Sequence, residues 1–279
     1  MKRGEDRRFE FGKNWSDFIQ KHFSAEAIDI SKQHILKFMN RPNLNDLGVL
    51  DIGCGSGLHS IAMLRAGAKS VHCFDYDANS VVTTRYLREL VGKPANWTVG
   101  QGSVLDDAFI ERLPLYDLVY SWGVLHHTGE VWRAIRNAAS RVKPRGLFYI
   151  ALYSADVHVD PTAEFWLAVK HRYVSSGWMM RRLMELWYIY RFQLDRNLLN
   201  LPKFLRRARE YKKNRGMNYY IDIRDWLGGW PMEFVHDQEA IDFCDKLGFK
   251  LMEIATGQAN TEFLFIRGER PKTDKESAP

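Results

Sequence analysis

An apolar run that stops in three glycines at alternate positions, Val49-Leu50-Asp51-Ile52-Gly53-Cys54-Gly55-Ser56-Gly57, constrains this chain more than any other segment. Such a run reads as a strand buried on both faces, and that pattern belongs to parallel sheets flanked by helices. The glycines free the backbone for a turn that no side-chain-bearing residue adopts cheaply, and let it approach a ligand. A helix is expected to open at Leu58. The G-x-G-x-G spacing is not the G-x-G-x-x-G of dinucleotide folds, so a pyrophosphate on the helix terminus is not the natural ligand.

Further strands follow in βαβ order. Val71-His72-Cys73-Phe74 ends at Asp75-Tyr76-Asp77, with Asp75 24 positions beyond Asp51. An acidic residue at such a strand tip can accept two ribose hydroxyls, Tyr76 beside it can pack on a base, and Asp77 is placed to cap the next helix, near Asn79. Trp97–Gly100 leads to Gly102-Ser103-Val104-Leu105-Asp106. Tyr116–Trp122 runs into Gly123-Val124-Leu125-His126-His127-Thr128-Gly129, and Gly146–Leu152 follows a turn at Lys143-Pro144-Arg145-Gly146. Two closing strands are expected at Lys250–Thr256 and Glu262–Arg267, after a helix Asp237–Leu247 capped by Asp237 and stopped by Gly248.

The strand ending in Asp-x-Gly-x-Gly-x-Gly resembles motif I of class I S-adenosylmethionine (SAM) dependent methyltransferases. The Tyr116–Gly129 segment resembles motif IV of their small-molecule branch. The resemblance covers residues 47–152 with the two closing strands, and implies an α/β, Rossmann-like, seven-stranded, mostly parallel sheet. It further implies SAM as cofactor, with Asp51, Gly53, Gly55, Ser56, Gly57 and His59 around its amino-acid end. Asp75 and Tyr76 would take the ribose and adenine, and Ser103 and Val104 the adenine edge. Ser121 and Trp122 would lie near the reactive methyl. Relatives often carry Gly-Asp where Gly102-Ser103 stands, so the hydroxyl, backbone groups or Asp106 must serve adenine here.

Between the fifth strand and the Asp237 helix lie about 80 extra residues, Tyr153–His236, holding 16 of the 37 aromatics and five of the nine tryptophans. Segments of that length are often lids. Helical spacing is clear in Glu164–Val174 and in Met179–Leu194, where Leu183, Leu186, Trp187 and Tyr190 share a face expected to pack between lid and sheet. The stretch Asn218–Phe234 mixes acids with aromatics around Gly-Gly-Trp-Pro, which suits either a pocket wall or a surface turn. The organisation expected is an N-terminal helical arm (1–45), a SAM-binding core (46–152 and 237–268), a helical cap (153–236) and disordered ends at roughly 1–9 and 269–279. In the arm, Trp15, Phe18, Ile19, His22 and Phe23 follow helical spacing and a second helix starts at Ser24.

His126 and His127 stand at a strand exit, and an unperturbed imidazole, titrating near ~6.5, suits a base or substrate anchor; His126 is the expected one, and one of the pair can serve to brace the loop. Candidate substrate contacts are Asn14, Trp15, Tyr153, Asp222, Asp225, Trp226 and Glu233. Three cysteines, at 54, 73 and 244, lack metal spacing and suit reduced thiols, and no apolar run is long enough to span a bilayer. A cytoplasmic enzyme with a small-molecule substrate, no membrane partner and no bound metal is expected.

The net charge of +6 is concentrated in one place. Eight basic residues lie between Arg196 and Arg215 against a single acid, Glu210. That stretch is a solvated helix face or an anionic partner's site. Three uses of SAM stay open: methyl transfer to a small molecule; transfer to tRNA or another nucleic acid through the basic stretch; and intramolecular attack on SAM itself, releasing methylthioadenosine.

Overall fold

A computed structural model describes residues 25–158, 160–215, 219–257 and 259–269. A helix α1 (Ala25–Phe38) precedes the sheet. Then β1 (Gly48–Ile52), α2 (Leu58–Arg65), β2 (Ser70–Asp75), α3 (Ala78–Leu90), β3 (Trp97–Gln101), α4 (Asp107–Arg112), β4 (Tyr116–Trp122), α5 (Val131–Ser140) and β5 (Val142–Tyr153) alternate. Four helices follow: α6 (Ala163–Ser175), α7 (Trp178–Tyr188), α8 (Leu201–Arg215) and α9 (Tyr219–Gly228). The chain closes with α10 (Asp237–Lys246), β6 (Phe249–Thr256) and β7 (Asn260–Arg267).

The seven strands order as β3-β2-β1-β4-β5-β7-β6, with β7 antiparallel to both β5 and β6 and the first five strands parallel. The order reverses between β1 and β4, and in open α/β sheets ligands bind at that point, outside the strand carboxyl ends. Register explains why the strands read as continuous apolar runs. Val49, Leu118, Tyr120, Tyr149 and Leu264 face the core under α1 and α2. Leu50, Val119, Phe148, Ile150, Phe263 and Phe265 face the core under α4, α5 and α10.

Three local expectations change. The turn at Lys143–Gly146 lies inside β5, as a bulge. Tyr116 pairs Val142 while Leu118 pairs Leu147, and Arg145 takes a left-handed φ of 61° to loop out the extra residues. The α10 helix is not capped by Asp237, whose carboxylate accepts from Thr261 Oγ1 at 2.9 Å. Asp156 does that work from the β5 exit, accepting from the Asp237 N–H at 2.8 Å and from His236 Nδ1 at 2.7 Å.

The third change concerns the helices after β5. Their aromatics form a core of their own, around Trp166, Tyr173, Met184, Ile223 and Leu227, and not one shared with the sheet. Leu183, Leu186, Trp187 and Tyr190, expected inside, are exposed. The inward pair on α7 is Met184 with Tyr188, one position over on the same i, i+4 spacing. Among the described residues no helix is long and apolar enough to cross a membrane. A surface depression of about 600 Å³ between α1 and the loop before β1 lies at the amino ends of the strands. It is therefore remote from the reversal point.

Candidate functional site

The glycine turn after β1 is left-handed at all three glycines, with φ of 74° at Gly53, 55° at Gly55 and 80° at Gly57. Its tightness is enforced partly by the protein itself. A Cβ at Gly53 would lie 2.4 Å from Val124 Cγ1, and one at Gly57 2.8 Å from Thr84 Cγ2. Gly53 and Cys54 donate their N–H groups to Phe74 O at 2.8 and 3.2 Å, and Thr84 Oγ1 donates to Gly55 O at 2.9 Å. Gly57 is the N-cap of α2. Ser56 is buried, its hydroxyl oxygen 3.4 Å from the Leu58 N–H.

Two carboxylates flank this turn. Asp51 is 2% exposed and accepts from Ser60 Oγ at 2.5 Å. Burial pushes its pKa up to about 7; the Ser60 hydrogen bond opposes the rise and the Asp75 charge adds to it. No cation among the described residues pairs with it. Asp75, at the tip of β2, accepts from the Gly55 N–H at 2.9 Å through Oδ2 and from the Asp77 N–H at 2.8 Å through Oδ1. Burial raises it to about 6 against the pull of those amides. A buried carboxylate without a counter-charge suits a ligand cation, and a strand-tip carboxylate with spare lone pairs suits hydroxyls. These residues fit the amino-acid and ribose portions of SAM.

The remaining expected contacts are spread around the same strand ends. Tyr76 is exposed beside Asp75, and Asp77 caps α3 by accepting from the Asn79 N–H at 2.9 Å. Ser103 Oγ accepts from the Leu105 N–H at 3.1 Å, beside buried Val104. Asp106 is the N-cap of α4, its Oδ1 accepting from the Phe109 N–H at 3.0 Å. Ser121 is fully buried and donates to Ile52 O at 3.0 Å, tying β4 to β1. Trp122 is partly exposed, and its ring meets His59 edge-on at 5.7 Å. His59 shares a 2.9 Å hydrogen bond with Tyr120 OH, and burial lowers its pKa to about 4, so it is neutral.

The histidine pair at the β4 exit forms one turn, Leu125–His127, and neither member behaves as an exposed imidazole. His126 is fully buried. Its Nδ1 accepts from the Tyr153 N–H at 3.3 Å, which puts the proton on Nε2, and that atom is buried with no hydrogen-bond partner among the described residues. Burial, then the charges of His127 and Lys170, hold its pKa well below 6.5. His127 Nδ1 donates to Pro231 O at 2.9 Å, so Nε2 carries its lone pair; burial lowers its pKa to about 4.

The segment after α9 is threaded under this pair. Glu233 donates its N–H to His126 O at 2.8 Å and accepts the Val131 N–H at 2.9 Å through Oε2, so this carboxylate braces the start of α5. Tyr153 packs against His126 at 4.3 Å and against Trp226 at 5.7 Å between ring centroids. Asn14 and Trp15 lie outside the described residues, as do the side chains of Asp222 and Asp225. Two residues beside Trp226 were not expected: Lys170 and His158. Lys170 carried a signal, a charge on the apolar stripe of α6 between Trp166 and Tyr173.

Residues 26–234 match the family model described as "Methyltransferase domain". A tRNA U34 carboxymethyltransferase of Idiomarina loihiensis is 30% identical over 145 residues, covering 50% of this chain and 43% of the relative. A ubiquinone biosynthesis O-methyltransferase of Azorhizobium caulinodans is 30% identical over 141 residues, 50% of this chain and 49% of that one. The chain thus spans about half or less of the length of these curated relatives. The crystal structure of a magnesium protoporphyrin IX methyltransferase from Synechocystis, with bound SAH, superposes with a TM-score of 0.52 at 15% identity, covering 92% of this chain and 94% of that chain. At that identity the likeness concerns the fold. The family match covers most of the chain and agrees with the strand order, so this chain belongs to the methyltransferase-domain family of class I, SAM-dependent enzymes.

Proposed function

We propose that this protein transfers a methyl group from SAM to a small-molecule acceptor at the carboxyl ends of β1, β4 and β5, under the helices of 153–236. The observation that carries this reading is the pair of carboxylates at the glycine turn, Asp51 and Asp75, both raised by burial, where the sheet order reverses. In it, Asp51 holds the cofactor ammonium, the Gly53–Gly57 turn with Ser56 wraps the amino-acid end, and Asp75 accepts the ribose hydroxyls. Neutral His59 hydrogen-bonds the cofactor carboxylate without neutralising it. Tyr76, Ser103 and Val104 border adenine, while Ser121 and Trp122 line the end of β4.

SAM, when bound, supplies a methyl group already activated by its sulfonium. The chain's own task is then to align the acceptor in line with that group and to keep water out. Where the nucleophile carries a proton, His127 is better placed than His126 to take it, because its Nδ1 is committed to Pro231 O and its lone pair lies on Nε2. His126 presents an N–H instead and acts as a donor.

A second reading is transfer of a methyl or carboxymethyl group to tRNA. Support comes from the likeness to a tRNA U34 carboxymethyltransferase and from exposed Lys203, Arg206 and Arg209 on α8. Binding that weakens steeply with added salt is its signature. Equilibrium binding of SAM tests the shared core of both readings. Micromolar-range affinity lost in Asp51→Ala and Asp75→Ala supports it, and a folded wild-type protein that does not bind SAM rejects it.

A further inference from the structure

The inward stripe of α6 carries a lysine where packing calls for an apolar residue. Lys170 follows Trp166 by four positions, and its side chain is 1% exposed. Nζ lies 3.9 Å over the Trp226 ring and donates to Trp226 O. No carboxylate among the described residues pairs with it. Burying an ammonium without a counter-charge is costly, and here burial drags the pKa down to about 7. A structural lysine has cheaper places to be.

Two donors in the same wall lack acceptors: Trp226 Nε1 and His126 Nε2, both buried without a hydrogen-bond partner among the described residues. Tyr153 packs between their rings, and His158 stacks on Trp226 at 5.8 Å with 14° between planes. The Lys170 charge reaches His126, His127 and His158, lowering all three, so the cluster is electrostatically one site. Glu233, whose backbone touches His126, turns a carboxylate oxygen to Val131 instead. Among the described residues, then, an aromatic wall holds one cation whose partner is a carbonyl and not an anion, and two N–H donors that have no acceptor. Buried donors left unsatisfied are costly, and such a set suits a ligand that brings the acceptors itself.

The geometry points to an oxyanion subsite: the methyl acceptor carries a carboxylate or a phosphate monoester, bound by Lys170 Nζ with the N–H groups of Trp226 and His126. This assignment rests on the β4 exit being the reaction pocket, and it adds a substrate class to that reading. The aromatic lining suits an acid with a flat apolar body.

The test uses the SAH-loaded full chain titrated with benzoate, phenyl phosphate and neutral benzamide, followed by tryptophan fluorescence and calorimetry. Saturable binding of benzoate or phenyl phosphate is expected, with benzamide at least tenfold weaker; the tighter of the two anions names the group. Lys170→Met should weaken the anion at least tenfold while leaving SAM affinity within twofold. Trp226→Phe keeps the ring under Lys170 but removes one N–H, and should weaken the anion about threefold or more. It also stands in if the Lys170 variant does not fold. Benzamide binding as well as benzoate, neither anion saturating the wild type, or unchanged anion binding in the folded variants would overturn the subsite. SAM affinity on the same samples separates outcomes: SAM bound without anion rejects the subsite alone, and loss of SAM binding by the wild type rejects the cofactor reading.

Discussion

Asp75 Oδ2 accepts the Gly55 N–H at 2.9 Å, which makes the acidic tip of β2 and the glycine turn after β1 a single unit. The turn depends on the acid for one of its amide partners, and the acid is held in place by the turn. The same carboxylate also fixes the Asp77 N–H, so the start of α3 is set by it too. A residue assigned to ribose therefore shapes the loop assigned to the amino-acid end. Cofactor binding should be cooperative across the two.

Replacing Asp75 with Ala is expected to weaken SAM by roughly ten- to hundredfold, the scale of a hydrogen bond to a charged group. Asp75→Asn keeps an acceptor and should fall between. Calorimetry on both variants measures this, and an unchanged dissociation constant in Asp75→Ala removes the ribose assignment.

Asp51 couples SAM binding to pH. Its pKa is raised to about 7 in the free protein, and an ammonium beside it would pull that value down. SAM affinity should rise from pH 6 to 8, with proton release below pH 7 visible as a buffer-dependent binding enthalpy. The stability sign is the reverse. The folded state holds a proton that the unfolded chain loses between about 4 and 7, so the ligand-free protein loses stability as pH rises through that window. Asp75 acts in the same direction up to about 6. Asp51→Asn should raise the ligand-free Tm at pH 7.5 but not at pH 4, while weakening SAM.

Lys170 gives the opposite slope at higher pH. With its folded pKa near 7 against 10.5, the unfolded chain binds more protons between those values, and stability rises with pH across them. Thermal melts of Lys170→Met should show its largest gain over wild type below pH 7 and little gain above pH 10.

Gly53→Ala should destabilise the fold by about 2–4 kcal/mol, combining left-handed strain with overpacking. The new methyl would meet Val124 at 2.4 Å. Adding Val124→Ala removes the two nearest methyls but leaves Val124 Cβ at 2.9 Å. It should therefore recover only part of the packing cost and none of the strain, and full recovery would show that φ at this position carries no cost. Chemical denaturation of the two single variants and the double variant measures the coupling.

The histidines make a spectroscopic prediction. His126 and His127 are both held well below the ordinary imidazole value, so their ring resonances should not titrate between pH 6 and 8. His236, raised by the Asp156 carboxylate, should titrate above 6.5. Nuclear magnetic resonance of selectively labelled histidine decides this.

The parts of this protein that were legible in its sequence are those set by backbone rules. An apolar run ending in alternate glycines admits few conformations, and Asp77 before a helix could do little but cap it. The histidines were less legible. Their spacing placed them at the β4 exit, but their charge state depends on Pro231, Tyr153 and Lys170 arriving from elsewhere in the chain. The α7 stripe misled because the helix is apolar on two faces, and only packing selects Met184 over Leu183 and Leu186. Lys170 stands out on the apolar stripe of α6, but its partner Trp226 lies 56 residues later, so the pairing is not legible from local spacing.

The most direct test of the account is mass spectrometry of the purified protein with SAM alone and then with pooled small carboxylate and phosphate metabolites. The account predicts S-adenosylhomocysteine only when metabolites are present, with one metabolite gaining the mass of a methylene unit. Methylthioadenosine from SAM alone would contradict it and make SAM itself the substrate.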